Sequence, residues 1–196
     1  SDMKTRMFFA GSGGQGILLM GQMIAKAAML EGREVTFMPS YGPEMRGGTA
    51  NCTVIISDKT ISCPLISETD ILVVMNKPSL IRFESMLTPG GTLFINSSLI
   101  AESPTRDDIV IVNVPANDRA AELGIEKSAN MVMLGAVVNG TGVVSMESVD
   151  RVLGYIDEGK REGVEVVAGG HRLDRKGYFV APTVLTGTRE DMRLMK

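Results

Sequence analysis

The 196-residue chain is predicted to fold as an α/β protein, with an open, mostly parallel Rossmann-like sheet, helices on both faces and an atypical C-terminal appendage. Three observations predict it. Short apolar runs of strand length alternate with helical stretches at the spacing of βαβ units. A glycine-rich turn, Gly11-Ser12-Gly13-Gly14-Gln15-Gly16, joins the first strand to the first helix. Hydrophobic residues make up 44% and charged ones 22%, enough apolar surface for a sizeable core.

Taken in order, Met7-Phe8-Phe9-Ala10 is an apolar run ended by glycine and reads as a buried strand. Residues 17–30 are apolar nearly all round and rich in helix formers, with Gly32 placed as a C-cap. Residues 34–38 form a second strand stopped by Pro39, so the first forty residues read as a parallel βαβ unit. A loop covers 40–49. The β-branched stretch 51–56 is a strand that Ser57-Asp58-Lys59-Thr60 turns into Ile61-Ser62 as a hairpin. Residues 71–75, 92–95 and 109–114 are further strands, with a short helix near 79–86 and a helical turn at 118–123 closed by Gly124. Residues 131–138 belong to a buried helix. Ser145 and Ser148 precede a helix over 149–160 that Gly163 terminates, and 164–168 and 178–185 are two last strands.

Composition narrows the function. A formal net charge of −3 leaves no electrostatic footprint for nucleic acid, and no basic run points to a membrane surface. The apolar stretches fall short of the roughly 20 residues that a membrane span needs. The run at 7–10 stops too early for a signal peptide. Two cysteines, Cys52 and Cys63, form no C-x-x-C pair, and both are expected to be inert, buried or half-buried thiols. With His171 as the one histidine, neither a metal site nor a Ser–His–Asp triad is well supplied. A reduced, cytoplasmic, soluble protein is expected.

The glycine turn carries the chemistry. Gly11, Gly13 and Gly16 satisfy G-x-G-x-x-G between strand and helix, where backbone N–H groups and the helix dipole favour an anion. A nicotinamide cofactor also asks for a carboxylate at the end of the second strand, and Phe37-Met38-Pro39-Ser40 offers none. Another phosphate-bearing ligand remains, as does a turn that merely packs helix on strand. The second cluster is Tyr41-Gly42-Pro43-Glu44-Met45-Arg46-Gly47-Gly48, expected on the same side of the sheet. Arg46 is a fork donor for carboxylate or phosphate, Tyr41 offers a flat face, and Glu44 is a partner for a cation.

Together with the stretches 51–58 and 130–135, these segments resemble the gamma subunit of the 2-oxoacid:ferredoxin oxidoreductases over about residues 5–149. G-x-G-G-Q-G followed at this distance by Y-G-P-E-x-R-G-G is more specific than either piece alone. The resemblance implies a complex that oxidatively decarboxylates a 2-oxoacid to acyl-coenzyme A, with electrons passing to ferredoxin. It implies thiamine diphosphate, magnesium and iron–sulfur clusters on alpha, beta and ferredoxin-like delta partner subunits, with a homodimer open for the isolated chain. On this chain it implies no catalytic residue and no metal ligand. Gly11, Ser12, Gly13, Gly14, Gln15 and Gly16 would face the coenzyme A diphosphate; Tyr41, Glu44, Arg46, Gly47 and Gly48 would lie toward the thiamine-binding subunits.

Residues 1–150 are read as this domain, and 151–196 as a tail that resembles an internal segment of aldehyde dehydrogenases without that family's catalytic cysteine or glutamate. His171 is read as a solvated loop residue, most methionines as core fillers, and Lys77 as a solvated lysine ahead of a phosphate contact. Asn130 and the 113–117 loop carry no assigned role. The rival readings are a stand-alone dinucleotide-dependent dehydrogenase and a purely structural subunit.

Overall fold

The computed structural model describes residues 3–41, 49–161, 165–168 and 184–186. Its chain order is β1 (Lys4–Ser12), α1 (Ile17–Leu30), β2 (Glu34–Tyr41), β3 (Thr49–Ser57), β4 (Thr69–Val74), α2 (Lys77–Phe83), β5 (Leu87–Asn96), β6 (Val110–Val114), α3 (Ala116–Glu122), α4 (Ala129–Thr141) and α5 (Met146–Arg161). Six strands form one sheet in the order β2-β3-β1-β4-β5-β6. β1, β4, β5 and β6 run parallel, while β3 is antiparallel to both of its neighbours. The sheet is therefore mixed but mostly parallel. β7 (Glu165–Ala168) and β8 (Val184–Thr186) pair as a separate antiparallel ribbon.

β2 runs parallel to β1, as the βαβ reading has it, with β3 wedged between them. Two expectations need correction. Pro39 does not stop β2, which runs on to Tyr41; β2 is a sheet edge, where a missing N–H is tolerated. Ile61-Ser62 forms no hairpin with β3, whose two edges are already taken by β1 and β2. The chain instead crosses to the far side of β1 and starts β4 there.

Strand alternation sends side chains to two cores. On one face Met7, Phe9, Cys52, Val54 and Val73 meet Met20 and Ile24 of α1 and Met133 and Val137 of α4. On the other, Phe8, Leu72, Val74, Leu93 and Ile95 meet Leu80 and Phe83 of α2. Gly21 lets α1 lie close on β3: a Cβ there would stand 2.5 Å from Cys52 Sγ. Ser145 caps α5, its Oγ accepting the Ser148 N–H at 3.1 Å. α5 spans the 150/151 division drawn from the sequence, and Val149 and Val152 are both buried in the first core.

At the amino ends of the strands the stitching is ionic. Arg6 forks onto Asp70 (Nη2 to Oδ1 2.7 Å, Nε to Oδ2 3.1 Å) and adds its backbone N–H at 2.8 Å. Burial pushes the Asp70 carboxyl up, but the Arg6 hydrogen bonds and charge outweigh it and hold the group below the usual carboxylate range. Arg33 pairs with Asp58 at 3.3 Å, and Arg106 with Asp108 at 2.6 Å. Buried Glu84 accepts the backbone N–H groups of Thr105 (2.6 Å) and Arg106 (3.0 Å).

Candidate functional site

The opposite, carboxyl end of the sheet holds the glycine turn. Gly11 and Ser12 still belong to β1, Gly13 and Gly14 are exposed, and Gly16 is the N-cap of α1. Gly14 (φ +87°) and Gly16 (φ +70°) are left-handed, a conformation that favours glycine. Gly16 is also a close approach: a Cβ there would lie 2.1 Å from Asn130 Nδ2. Among the described residues, the N–H groups of Gly13, Gly14, Gly16, Ile17, Leu18 and Leu19 have no acceptor, and the first turn of α1 carries no acidic side chain. Unpaired N–H groups at the positive end of a 14-residue helix present an anion-binding surface.

Gln15 is turned inward. Its Oε1 accepts the Ser12 N–H at 2.7 Å and its Nε2 donates to the Met75 carbonyl at 3.2 Å, so both ends of the amide are committed to the scaffold. A Cβ at Gly11 would stand 2.6 Å from that same Oε1. Gly11 and Gln15 therefore shape the turn, and Gly13, Gly14 and Gly16 present its open side.

Neutral amides continue the stitching along the strand ends. Asn76, just past β4, donates to Ser12 Oγ at 2.6 Å and accepts the Ser79 N–H at 3.0 Å. Asn96, at the end of β5, donates to Asn117 Oδ1 at 2.8 Å and accepts the Ala116 N–H at 3.3 Å. Asn130, on α4, donates to the Gly16 carbonyl at 3.5 Å. The sequence reading assigns none of these residues a role. The signal was there, an asparagine at or just past the carboxyl ends of three successive parallel strands (76, 96 and 117), but asparagine at such points also reads as ordinary turn chemistry.

Of the second cluster, Tyr41 ends β2 in register with Ala50, which on its other side pairs with Gly11. The two segments thus leave the same end of the sheet, two strand spacings or about 10 Å apart. Glu44, Arg46, Gly47 and Gly48 lie outside the described residues, as do His171 and residues 178–183.

Cys52 is buried, and burial pushes its thiol up to about 12, an inert state. Cys63, expected at least half-buried, is exposed, because the segment between β3 and β4 runs outside the sheet. Lys77 is exposed and paired with Glu102. Met20, Met23, Met131 and Met133 are core, whereas Met29 is exposed. Among the described residues no group of three or more His, Cys, Asp or Glu side chains gathers to hold a metal, and no helix is long and apolar enough to cross a membrane.

Fold and site define an open α/β chain whose glycine turn opens the first helix, without the strand-end carboxylate of a dinucleotide dehydrogenase. The chain belongs to the pyruvate ferredoxin/flavodoxin oxidoreductase family, which it matches over residues 6–178. It is 38% identical to the 2-oxoglutarate synthase subunit KorC of Methanothermobacter marburgensis over 77% of this chain and 85% of that one. It is also 38% identical to the ketoisovalerate oxidoreductase subunit VorA of the same organism, over 69% of this chain but only 28% of that longer one. The gamma subunit of a keto/oxoacid ferredoxin oxidoreductase from Geobacter sulfurreducens superposes with a TM-score of 0.65 at 33% identity, over 75% of this chain and 83% of that one. A 2-oxoglutarate:ferredoxin oxidoreductase from Magnetococcus marinus, solved with 2-oxoglutarate, coenzyme A and succinyl-CoA, gives a TM-score of 0.72 at 25% identity, over 81% of this chain and 27% of that one. Within its family, the chain is a gamma-type subunit of a 2-oxoacid:ferredoxin oxidoreductase.

Proposed function

We propose that the chain binds coenzyme A for a 2-oxoacid:ferredoxin oxidoreductase complex and does no redox chemistry of its own. The observation that carries this reading is the row of unpaired N–H groups on Gly13, Gly14, Gly16, Ile17, Leu18 and Leu19, unopposed by any carboxylate in the first turn of α1. A diphosphate seated there gains charge-assisted hydrogen bonds and the helix dipole together. Gly11 and Gln15 hold the turn in shape, and exposed Gly13 and Gly14 let the phosphates reach the backbone.

Coenzyme A brings the thiol that accepts the acyl group; this chain anchors the other end of the molecule and so sets where the thiol can reach. The described donor set does not suit thiamine diphosphate with magnesium or an iron–sulfur cluster, which we assign to alpha, beta and ferredoxin-like delta partner subunits. Tyr41, which ends β2 at the same end of the sheet as the glycine turn, and Glu44, Arg46, Gly47 and Gly48, which follow it in the sequence, are assigned to the face that meets the thiamine-binding subunits. The Magnetococcus marinus relative, solved with coenzyme A and succinyl-CoA, supports the choice of ligand.

The test is a charge change at constant shape. Gly14 has open space where a side chain would go, and Asn and Asp tolerate its left-handed backbone equally. In the complex assembled with its partner subunits, Gly14→Asp should raise the KM for coenzyme A about tenfold over Gly14→Asn. Equal KM values for the two variants would refute the reading.

A further inference from the structure

We infer that Asn76 is a positioning residue for the coenzyme A site, because it fixes the direction in which the Ser12 hydroxyl donates its proton. The inference rests on the proposed diphosphate site and extends it to a residue beyond the glycine turn.

Asn76 is the N-cap of α2, and its Oδ1 accepts the Ser79 N–H at 3.0 Å. A backbone N–H can only donate, so the carboxamide oxygen must face Ser79 and the NH2 must face away. That NH2 lies 2.6 Å from Ser12 Oγ. Since the amide nitrogen can only donate, Ser12 Oγ is the acceptor in this bond, and its own proton must point elsewhere.

Elsewhere is the glycine turn. Ser12 is the last residue of β1, immediately before exposed Gly13 and Gly14, and its backbone N–H is already consumed by Gln15 Oε1. Among the described residues no acceptor receives the hydroxyl proton. The side chain thus supplies a donor at the turn in place of the backbone donor that Gln15 removes. Asn76 sets its polarity, and it does so with no net charge beside a site meant for an anion. An aspartate would cap α2 as well as asparagine does. It would also accept from Ser12 instead of donating to it, which draws the hydroxyl proton away from the ligand and adds a negative charge.

The experiment uses the assembled complex and the variants Ser12→Ala, Asn76→Asp and the double variant, with KM for coenzyme A, kcat and Tm measured for each. Asn76→Asp should raise the KM for coenzyme A at least tenfold, with kcat within about twofold and Tm within about 2 °C of the parent. Ser12→Ala should raise the KM about fivefold. In the Ser12→Ala background the substitution at 76 should cost less than in the parent, because the hydroxyl it redirects is gone. A lowered Tm with unchanged KM would make Asn76 a helix cap only and overturn the proposal, as would KM effects that multiply independently. Gly14→Asp against Gly14→Asn tests the underlying site separately. If that pair differs while Asn76→Asp leaves KM unchanged, the diphosphate site stands and the role of Asn76 falls; if the pair is equal, the site itself falls.

Discussion

The two ends of the sheet are fastened with different chemistry. At the amino ends, arginine–carboxylate pairs do the work: Arg6 with Asp70, Arg33 with Asp58, Arg106 with Asp108. At the carboxyl ends the cross-links are neutral, running through Gln15, Asn76, Asn96, Asn117 and Asn130. Among the described residues, the ion pair of Lys77 with Glu102 on that side stays on the exposed rim. The contrast fits the proposed anion site, whose scaffold has to hold shape without adding charge. A carboxylate beside the start of α1 would cancel the helix dipole, whereas an amide holds the same geometry without a field of its own.

Four measurements on the full chain put this contrast at risk. The largest effect is expected at the neutral end, from Gly16→Ala. It forces a Cβ onto a backbone with φ +70° and to 2.1 Å from Asn130 Nδ2, and should cost about 3 kcal/mol in urea unfolding. A loss below about 1 kcal/mol would mean that α4 gives way freely and the turn is not braced. Next comes Asn96→Leu, which keeps the volume but leaves the Ala116 N–H and Asn117 Oδ1 without their partner. About 2 kcal/mol should be lost; a neutral result would show that the amides do not hold the strand ends.

The third concerns acid. Because Asp70 titrates lower in the folded chain than in the unfolded one, its contribution is fully present above the unfolded carboxylate pKa. It disappears as pH falls through the folded value. Asp70→Asn should cost about 1 kcal/mol at pH 7, a figure limited by solvent screening, and flatten the loss of Tm below about pH 4. An unchanged acid limb would place the sensitivity on other carboxylates. Last, Arg119→Ala cuts an exposed pair with Glu122 within α3, and should stay within about 0.5 kcal/mol of the parent. A larger loss would undo the ranking.

Much of this architecture can be read from the chain, and the misses share a cause. α1 spans the predicted residues because glycines mark both of its ends and mostly apolar helix formers lie between. The wedging of β3 between β1 and β2 escapes such reading, because which strand edges are free is a property of the whole sheet. That same fact removed the expected hairpin at Ile61-Ser62 and let Pro39 stay inside β2. At the site, the glycine positions are legible from their motif, but the inward turn of Gln15 is not. Its direction is decided by the Met75 carbonyl, sixty residues away.

Ala50 links the two segments at this end of the sheet. Its backbone is shared, with Gly11 in register on one flank and Tyr41 on the other. On the proposed reading, a partner subunit seated beyond Tyr41 would lean on the same three strands that carry the glycine turn. Assembly and ligand capture would then be joined through a single alanine's peptide groups, with no moving hinge required between them.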